Sequence, residues 1–384
     1  MWRGRSRPRN AFPRNVRGLN SSHADPAKPA LIAPGDNDRE RSHQSESATL
    51  RLRNQACRRG RPRPCRSNSD SSMRKALLLY NPLSGRRRKR RQADVEEALA
   101  VLKSAGIEAT AAPTRAASDA TDQTKRAIAE GCDTVFAAGG DGTVHDVLQG
   151  LVGSRAALGI IPLGTANSLA HDLKLPLAPA SAARAALTAK PRRIAVGQVR
   201  YRDLTGNESQ RYFTVMVGIG VDAHLFYTLD PLVKRHLGMA AYCLKATRLW
   251  LTHKMEYFSV EITGEQAEVS QLLAVRIANF GGVLRQLAPG ASLERDDLRL
   301  VLFRTRSRLA YLRYVLRGLF ATNWQVPGIE LVHSKDAICR ELPPPTASGG
   351  SPRIFVDADG ELLGTLPAEI SVIPDALTLL VPNG

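Results

Sequence analysis

The stretch Val135-Phe136-Ala137-Ala138-Gly139-Gly140-Asp141-Gly142-Thr143 sets three glycines and a carboxylate between an apolar run and a helical pattern. Glycine costs backbone entropy wherever it sits in a regular element. Three within four positions therefore point to something that must come very close to this backbone. Two other stretches share the character: Asn81-Pro82-Leu83-Ser84-Gly85 and Pro162-Leu163-Gly164-Thr165-Ala166-Asn167, each directly after an apolar run. Backbone N–H groups exposed at glycines and at helix N-termini suit phosphate oxygens, and Thr143 and Thr165 add hydroxyl donors. Asp141 is out of place among anion donors unless a metal ion or a proton is involved. The chain has no G-x-x-x-x-G-K-[ST], which excludes a P-loop ATPase. Gly218–Ala223 mimics a dinucleotide fingerprint but lies outside any βαβ unit.

Such loops need strands to place them. From Met73 the pattern alternates apolar strand-like runs (KALLLYNP, IEATAAP, TVFAAGG, ALGIIPLG) with helical ones (RRQADVEEALAVLKSAG, SDATDQTKRAIAEG opening at Ser118, TVHDVLQGLVG, TANSLAHDLKL, PASAARAALTAK). Alternation of this kind predicts a parallel sheet covered by helices, with ligands at the carboxyl ends of the strands. Beyond Pro191 the texture becomes β-rich: RRIAVGQVRY, RYFTVMVGIG, YFSVEIT, LLAVRIANF, LRLVLFR, IELVHS and PRIFVDADG, interrupted by helical patterns in 234–253 and 308–323. The expectation is an α/β domain over 73–191 and a mostly antiparallel β-rich domain over 192–384, with 341–352 as a loop insertion stiff in its prolines and flexible in its Gly/Ser part.

The chain has 384 residues and a formal net charge of +18, which points to an anionic partner. Residues 1–72 hold 16 Lys and Arg against 6 Asp and Glu and show no sustained apolar period. Such a segment cannot bury enough apolar surface to offset its ordering entropy. It reads as a disordered basic leader ahead of a start at Met73, with a nucleic-acid-binding arm or a transit-type peptide as the other readings. The five cysteines form no C-x-x-C pair, in keeping with a reducing cytosol. No apolar run approaches the ~20 residues of a membrane span.

Taken together, N-P-L-S-G, G-G-D-G-T, P-L-G-T-A-N and a late D-G-E at Asp359–Glu361 resemble the diacylglycerol kinase catalytic family, which includes bacterial lipid kinases and sphingosine and ceramide kinases. The resemblance runs from about Met73 to the C-terminus. It implies a Rossmann-like parallel α/β domain followed by a β-sandwich, with ATP in the cleft between them, and a last strand that packs back on the first domain. Asn81, Ser84 and Gly85 match the first nucleotide loop, and Thr114 a nucleotide-contacting threonine after the second strand. Gly139, Gly140, Asp141, Gly142 and Thr143 match the triphosphate loop, and Gly164, Thr165 and Asn167 the loop after the fourth strand. Asp141 falls near the catalytic centre and its Mg2+. Glu361 matches the general base. A primary alcohol is a poor nucleophile at neutral pH, so a positioned carboxylate should take its proton as it attacks the γ-phosphate. The bland reading of Asp359–Glu361 is a hairpin turn, and a turn tip can also present Glu361.

The departures from the family pattern matter as well. The family's structural magnesium is held by one aspartate and main-chain carbonyls in an L-x-x-D-G-L loop. Here Leu293-Glu294-Arg295-Asp296-Asp297-Leu298 replaces the glycine by Asp297. Asp296 is then the ligand, or the register slips and Arg295 takes that position; Asp222 supports the same region or merely caps a turn. His145-Asp146-Val147 stands where Asn-Glu-Val is common. Ala195 stands where sphingosine kinases carry an aspartate for the amino-alcohol head, which favours a neutral or anionic lipid alcohol. Ser307–Trp324 reads as an amphipathic basic helix, packed on the core or lying on an anionic bilayer. The basic run Gly85–Arg91 could steer ATP or lipid.

The implied protein is an ATP- and Mg2+-dependent lipid kinase acting on a diacylglycerol-like alcohol, cytoplasmic and peripheral at the inner membrane surface, with a homodimer compatible with the sequence. The alternatives are an NAD-kinase-like or other small-molecule kinase, against which the missing TPTGSTAY-type segment counts, a nucleic-acid-binding protein, for which no helix-turn-helix, zinc or RNP motif speaks, and an inactive kinase-fold sensor.

Overall fold

The computed structural model describes residues 73–82, 90–115, 118–221, 223, 254–281, 287–320, 325–343 and 353–383. All of them belong to one compact unit, residues 67–384. The leader, Ser84, Gly85, most of the 85–91 basic run, Asp222, the helical pattern at 234–253 and most of the 341–352 insertion lie outside the described residues.

Four parallel strands form one end of the sheet: β1 (Lys75–Tyr80), β2 (Glu108–Pro113), β3 (Thr134–Gly139) and β4 (Ala157–Pro162), in the order β2-β1-β3-β4. Each residue of β3 and β4 is buried, which explains why both read as unbroken apolar runs rather than alternating ones. Helices α1 (Arg91–Ser104), α2 (Asp119–Ala129), α3 (Asp141–Leu151), α4 (Ser168–Asp172) and α5 (Pro179–Thr188) connect them. Ser118 stands at the N-cap of α2, but its side chain makes no capping bond. The Asp119 carboxylate instead accepts from the Arg115 N–H at 2.8 Å. Only Ser168–Asp172 of the TANSLAHDLKL pattern is α-helical.

The remaining strands are β5 (Lys190–Asp203), β6 (Glu208–Phe213), β7 (Met216–Gly220), β8 (Phe258–Ile262), β9 (Glu265–Val269), β10 (Gln271–Val275), β11 (Leu298–Phe303), β12 (Ile329–Ser334), β13 (Asp336–Glu341), β14 (Phe355–Ala358) and β15 (Glu361–Val381). Their pairings are antiparallel apart from the contact of β15 with β4. β15 joins the two regions. It opens in a hairpin with β14, runs against β5 from Gly364↔Asp203 to Val381↔Lys190, and ends parallel to β4 at Thr378 and Leu379. Its prolines fall at or beside the two register shifts against β5, where a missing N–H costs no ladder bond.

Helix α6 (Arg308–Phe320) buries Ala310, Tyr311, Tyr314 and Gly318. Tyr311 and Tyr314 pack on Phe303 at ring-centroid distances of 4.5 and 5.2 Å. Leu309, Leu312, Val315, Leu319 and Phe320 are exposed, Leu309 at 62% and Phe320 at 64%. Of the two readings of this helix, core packing of its leucine side is therefore corrected. Two tyrosines and two small residues bring the helix onto the sheet, and the aliphatic stripe faces outward.

Candidate active site

Strand register brings the loops to one edge. Tyr80 pairs with Pro113 and Ala138, and Gly139 pairs with Pro162. The segments that follow β1, β2, β3 and β4 therefore leave the sheet side by side. Thr114 closes onto the end of β1, its N–H donating to the Tyr80 carbonyl at 2.8 Å. Asn81 is half-buried just beyond Tyr80.

The glycine loop is the first turn of α3 rather than a turn preceding it, because the helix begins at Asp141 with Gly140 as extended N-cap. A Cβ at Gly164 would lie 2.4 Å from the Gly140 Cα and 2.6 Å from Asn167 Oδ1. The two loops thus touch backbone to backbone, and only glycine fits. Asn167, at φ +51°, folds back so that its Oδ1 accepts from the Gly164 N–H at 2.8 Å and its Nδ2 donates to the Gly164 carbonyl at 3.2 Å. It shapes the loop. Thr165 beside it is exposed and Thr143 is buried. Asp141 Oδ1 accepts from the Ser168 N–H at 2.7 Å, a second tie between the loops. Burial, with the negative Asp359 nearby, raises the Asp141 carboxyl above its ordinary range.

Glu361 reaches this loop from 220 residues further along the chain. Its Oε1 lies 2.8 Å from the place a Cβ on Gly142 would occupy. The hairpin turn that presents it has positive φ at both central residues, Asp359 (+49°) and Gly360 (+83°), the type I′ pattern that Asp-Gly favours. The buried Asp359 carboxylate accepts from three backbone N–H groups, those of Thr214 (3.1 Å), Val215 (3.0 Å) and Met216 (3.0 Å), and faces His145 Nδ1 at 3.5 Å. Asp359 is thus a positioning residue that fastens the turn to the β6–β7 junction and to α3. Its sequence signal was there, an aspartate before the turn glycine, but that signal names the turn and not its anchor.

Asp146, one helical turn beyond Gly142, is a further acid of the site. Burial pushes its carboxyl up to about 6, the Glu361 charge adds to the rise, and His145 and Arg211 oppose it. On the other side, the Asp172 carboxylate at the end of α4 accepts from the N–H groups of Ala278 (2.9 Å) and Asn279 (2.8 Å), tying the segment after β10 to the Gly164 loop.

Asp296 is exposed. Among the described residues no cluster of three or more His, Cys, Asp or Glu could hold a metal ion. The carbonyls of Leu293, Arg295 and Asp297 accept from the Arg276 guanidinium. Asp297, at the position of the family's glycine, is held by Arg295 and by His333 Nδ1 at 3.3 Å. The donor set at 293–298 does not fit a divalent ion.

Glycine-bearing loops at the carboxyl ends of a parallel sheet, with a carboxylate delivered from a β-rich region, form the candidate site. Residues 75–199 match the diacylglycerol kinase catalytic domain, and residues 215–381 match the YegS C-terminal NAD kinase beta sandwich-like domain. The chain belongs to the diacylglycerol kinase catalytic-domain family. It is 28% identical over 316 residues to a diacylglycerol kinase of Bacillus subtilis, covering 81% of this chain and 97% of the relative. It is 26% identical to one of Staphylococcus saprophyticus, covering 81% and 96%. A crystal structure of a diacylglycerol kinase from Bacillus anthracis superposes with a TM-score of 0.59 at 21% identity, covering 82% of this chain and 98% of that one, and shares its fold.

Proposed function

We propose that the protein is an ATP-dependent lipid kinase that transfers the γ-phosphoryl group to the hydroxyl of a diacylglycerol-like lipid alcohol. The observation that carries this reading is the exposed Glu361 carboxylate lying beside Gly142 of the glycine loop. The acceptor oxygen forms a bond to the γ-phosphorus, the bond from that phosphorus to the β,γ-bridging oxygen breaks, ADP leaves, and the hydroxyl proton passes to Glu361. Asn81, Thr114, the Gly139–Thr143 turn, Gly164 and Thr165 would line the nucleotide, with Asn167 shaping its loop; the match of Ser84 and Gly85 to the first nucleotide loop rests on the sequence alone. Magnesium, when bound to the triphosphate, neutralises charge on the phosphate oxygens, and Asp141 is the carboxylate of the glycine loop that would face it.

Ala195 is buried and offers no charge to an amino-alcohol head, which favours a neutral or anionic acceptor. For the approach to a membrane, α6 offers the outward stripe of Leu309, Leu312, Val315, Leu319 and Phe320 with exposed Arg308 and Arg313 and no acidic residue. That chemistry suits an anionic bilayer surface. Among the described residues no helix is long and apolar enough to cross one.

The test is transfer of γ-labelled phosphate from ATP to a panel of lipid alcohols in mixed micelles, with NAD as a further acceptor. The expected result is a labelled lipid phosphomonoester, reduced about 10²-fold or more in Glu361→Gln. Label on NAD and not on lipid would overturn the acceptor. Unchanged transfer by Glu361→Gln would overturn the base.

A further inference from the structure

Arg276 is the most deeply buried cation of the described chain, at 0% exposure. It follows β10 directly, and its own N–H donates to the Val215 carbonyl at 2.9 Å. Its side chain runs into a cage of main-chain carbonyls. Nη1 donates to the carbonyls of Arg295 and Asp297, both at 2.6 Å. Nη2 donates to Ala195 at 2.8 Å and to Leu293 at 3.3 Å. Nε has no hydrogen-bond partner among the described residues. Among the described residues no carboxylate pairs with the guanidinium at contact distance; its counter-charge comes from Asp296 and Asp297 nearby.

Carbonyl oxygens that converge on one buried point need a cation or N–H donors there. Oxygen cages of this kind are the usual seat of Mg2+ or Ca2+, at about 2.0–2.6 Å from each oxygen. We infer that in this protein Arg276 is the resident cation of the 293–297 loop, a covalent replacement for a divalent ion, so that the loop is ordered without metal. Three points support it. The carbonyl lone pairs are taken by a group that carries its own positive charge and would repel a second cation. Asp297 is engaged by Arg295 and His333 and does not turn toward the cage. Asp296 is exposed.

The replacement also has a mechanical consequence. The guanidinium joins β5 at Ala195 to the 293–297 loop, and the two residues after Ile277 are those whose N–H groups bind Asp172 on α4. The cage is therefore coupled through a short segment to the Gly164 loop. A metal-bound version of this joint would tie nucleotide-loop geometry to divalent ion supply; a guanidinium removes that dependence and leaves only the magnesium that accompanies ATP.

The test uses the full-length protein without nucleotide, so that the proposed Mg-ATP site does not contribute. After treatment with EDTA and removal of the chelator, metal content is measured by mass spectrometry and the melting temperature is followed with EDTA, Mg2+ or Ca2+. The expected result is no stoichiometric divalent ion and a melting temperature that none of the three moves. Arg276→Met should melt about 5 °C or more below wild type, and Arg276→Lys, which keeps a charge but fewer donors, in between. A stoichiometric ion in the purified wild type, or a melting temperature that EDTA lowers and Mg2+ restores, would overturn the inference. So would an Arg276→Met variant that melts as wild type does. If Arg276→Met does not fold, the wild-type measurements and Arg276→Lys decide, and failure here leaves the Glu361 assay untouched.

Discussion

Asp146 carries the clearest pH-dependent consequence at the level of single residues. An aspartate in an unfolded chain titrates near 4; burial and the Glu361 charge bring this one to about 6 in the fold. A carboxyl whose folded pKa is raised favours the protonated folded state. The stabilisation is complete below about pH 4 and is lost as the pH rises through about 6. Asp146→Asn keeps the shape and cannot ionise, so it should equal wild type near pH 4 and exceed it at pH 8, by the order of 1–2 kcal/mol after allowing for partial exposure. Urea unfolding of both proteins at the two pH values measures the difference, and a constant gap across the range would defeat the assignment. The glycines and Asn167 were legible in the sequence because turn chemistry is local. The tasks of Asp359 and Asp146 were not, because each depends on partners from segments 60 or more residues away, such as Asp359 with Thr214–Met216; nor was that of Arg276, whose partners are main-chain carbonyls that no side-chain pattern announces.

Among the elements, the four parallel strands were readable from their apolar runs, whereas β9, β13 and most of β15 were not. β13 reads Asp-Ala-Ile-Cys-Arg-Glu, with two polar ends, and β15 contains two prolines and a glycine that imitate loop punctuation. Pairing on both sides overrides that local signal. Helix α6 shows the complementary limit: periodicity finds an apolar stripe but not which way it faces. With Tyr311 and Tyr314 inward, the outward leucines become testable. Replacing Leu309, Leu312 and Leu319 by Ser should leave the melting temperature nearly unchanged, since these side chains are exposed. It should lower partition onto phosphatidylglycerol vesicles about tenfold or more, since each exposed leucine that reaches the bilayer contributes on the order of 1 kcal/mol. Transfer to a soluble short-chain alcohol should not change. A triple variant that binds the vesicles as wild type does would remove α6 from the membrane surface.

For the whole molecule, the decisive feature is that the glycine loops and the Glu361 hairpin hang on one continuous sheet. β4 has β3 on one side and the end of β15 on the other. The apolar core around Leu79, Val135 and Val147 also contains Ile194 and Val196 of β5, Leu377 and Leu379 of β15, and Ile277. A fragment of residues 73–199, close to the stretch that matches the catalytic-domain model, would therefore keep its Gly-loop sequence but lose β15. It would expose the edge of β4 and one wall of its core, and an uncovered apolar edge is a template for aggregation. The expected outcome is a fragment that is insoluble or melts without a cooperative transition, while the full chain unfolds in a single transition seen alike by far-ultraviolet dichroism and by denaturant titration of nucleotide binding. A monomeric fragment with a sharp melt would mean that β15 fastens Glu361 to an already complete nucleotide fold. The carboxylate would then be a mobile addition, and not a fixture of the same folding unit that shapes the phosphate loops.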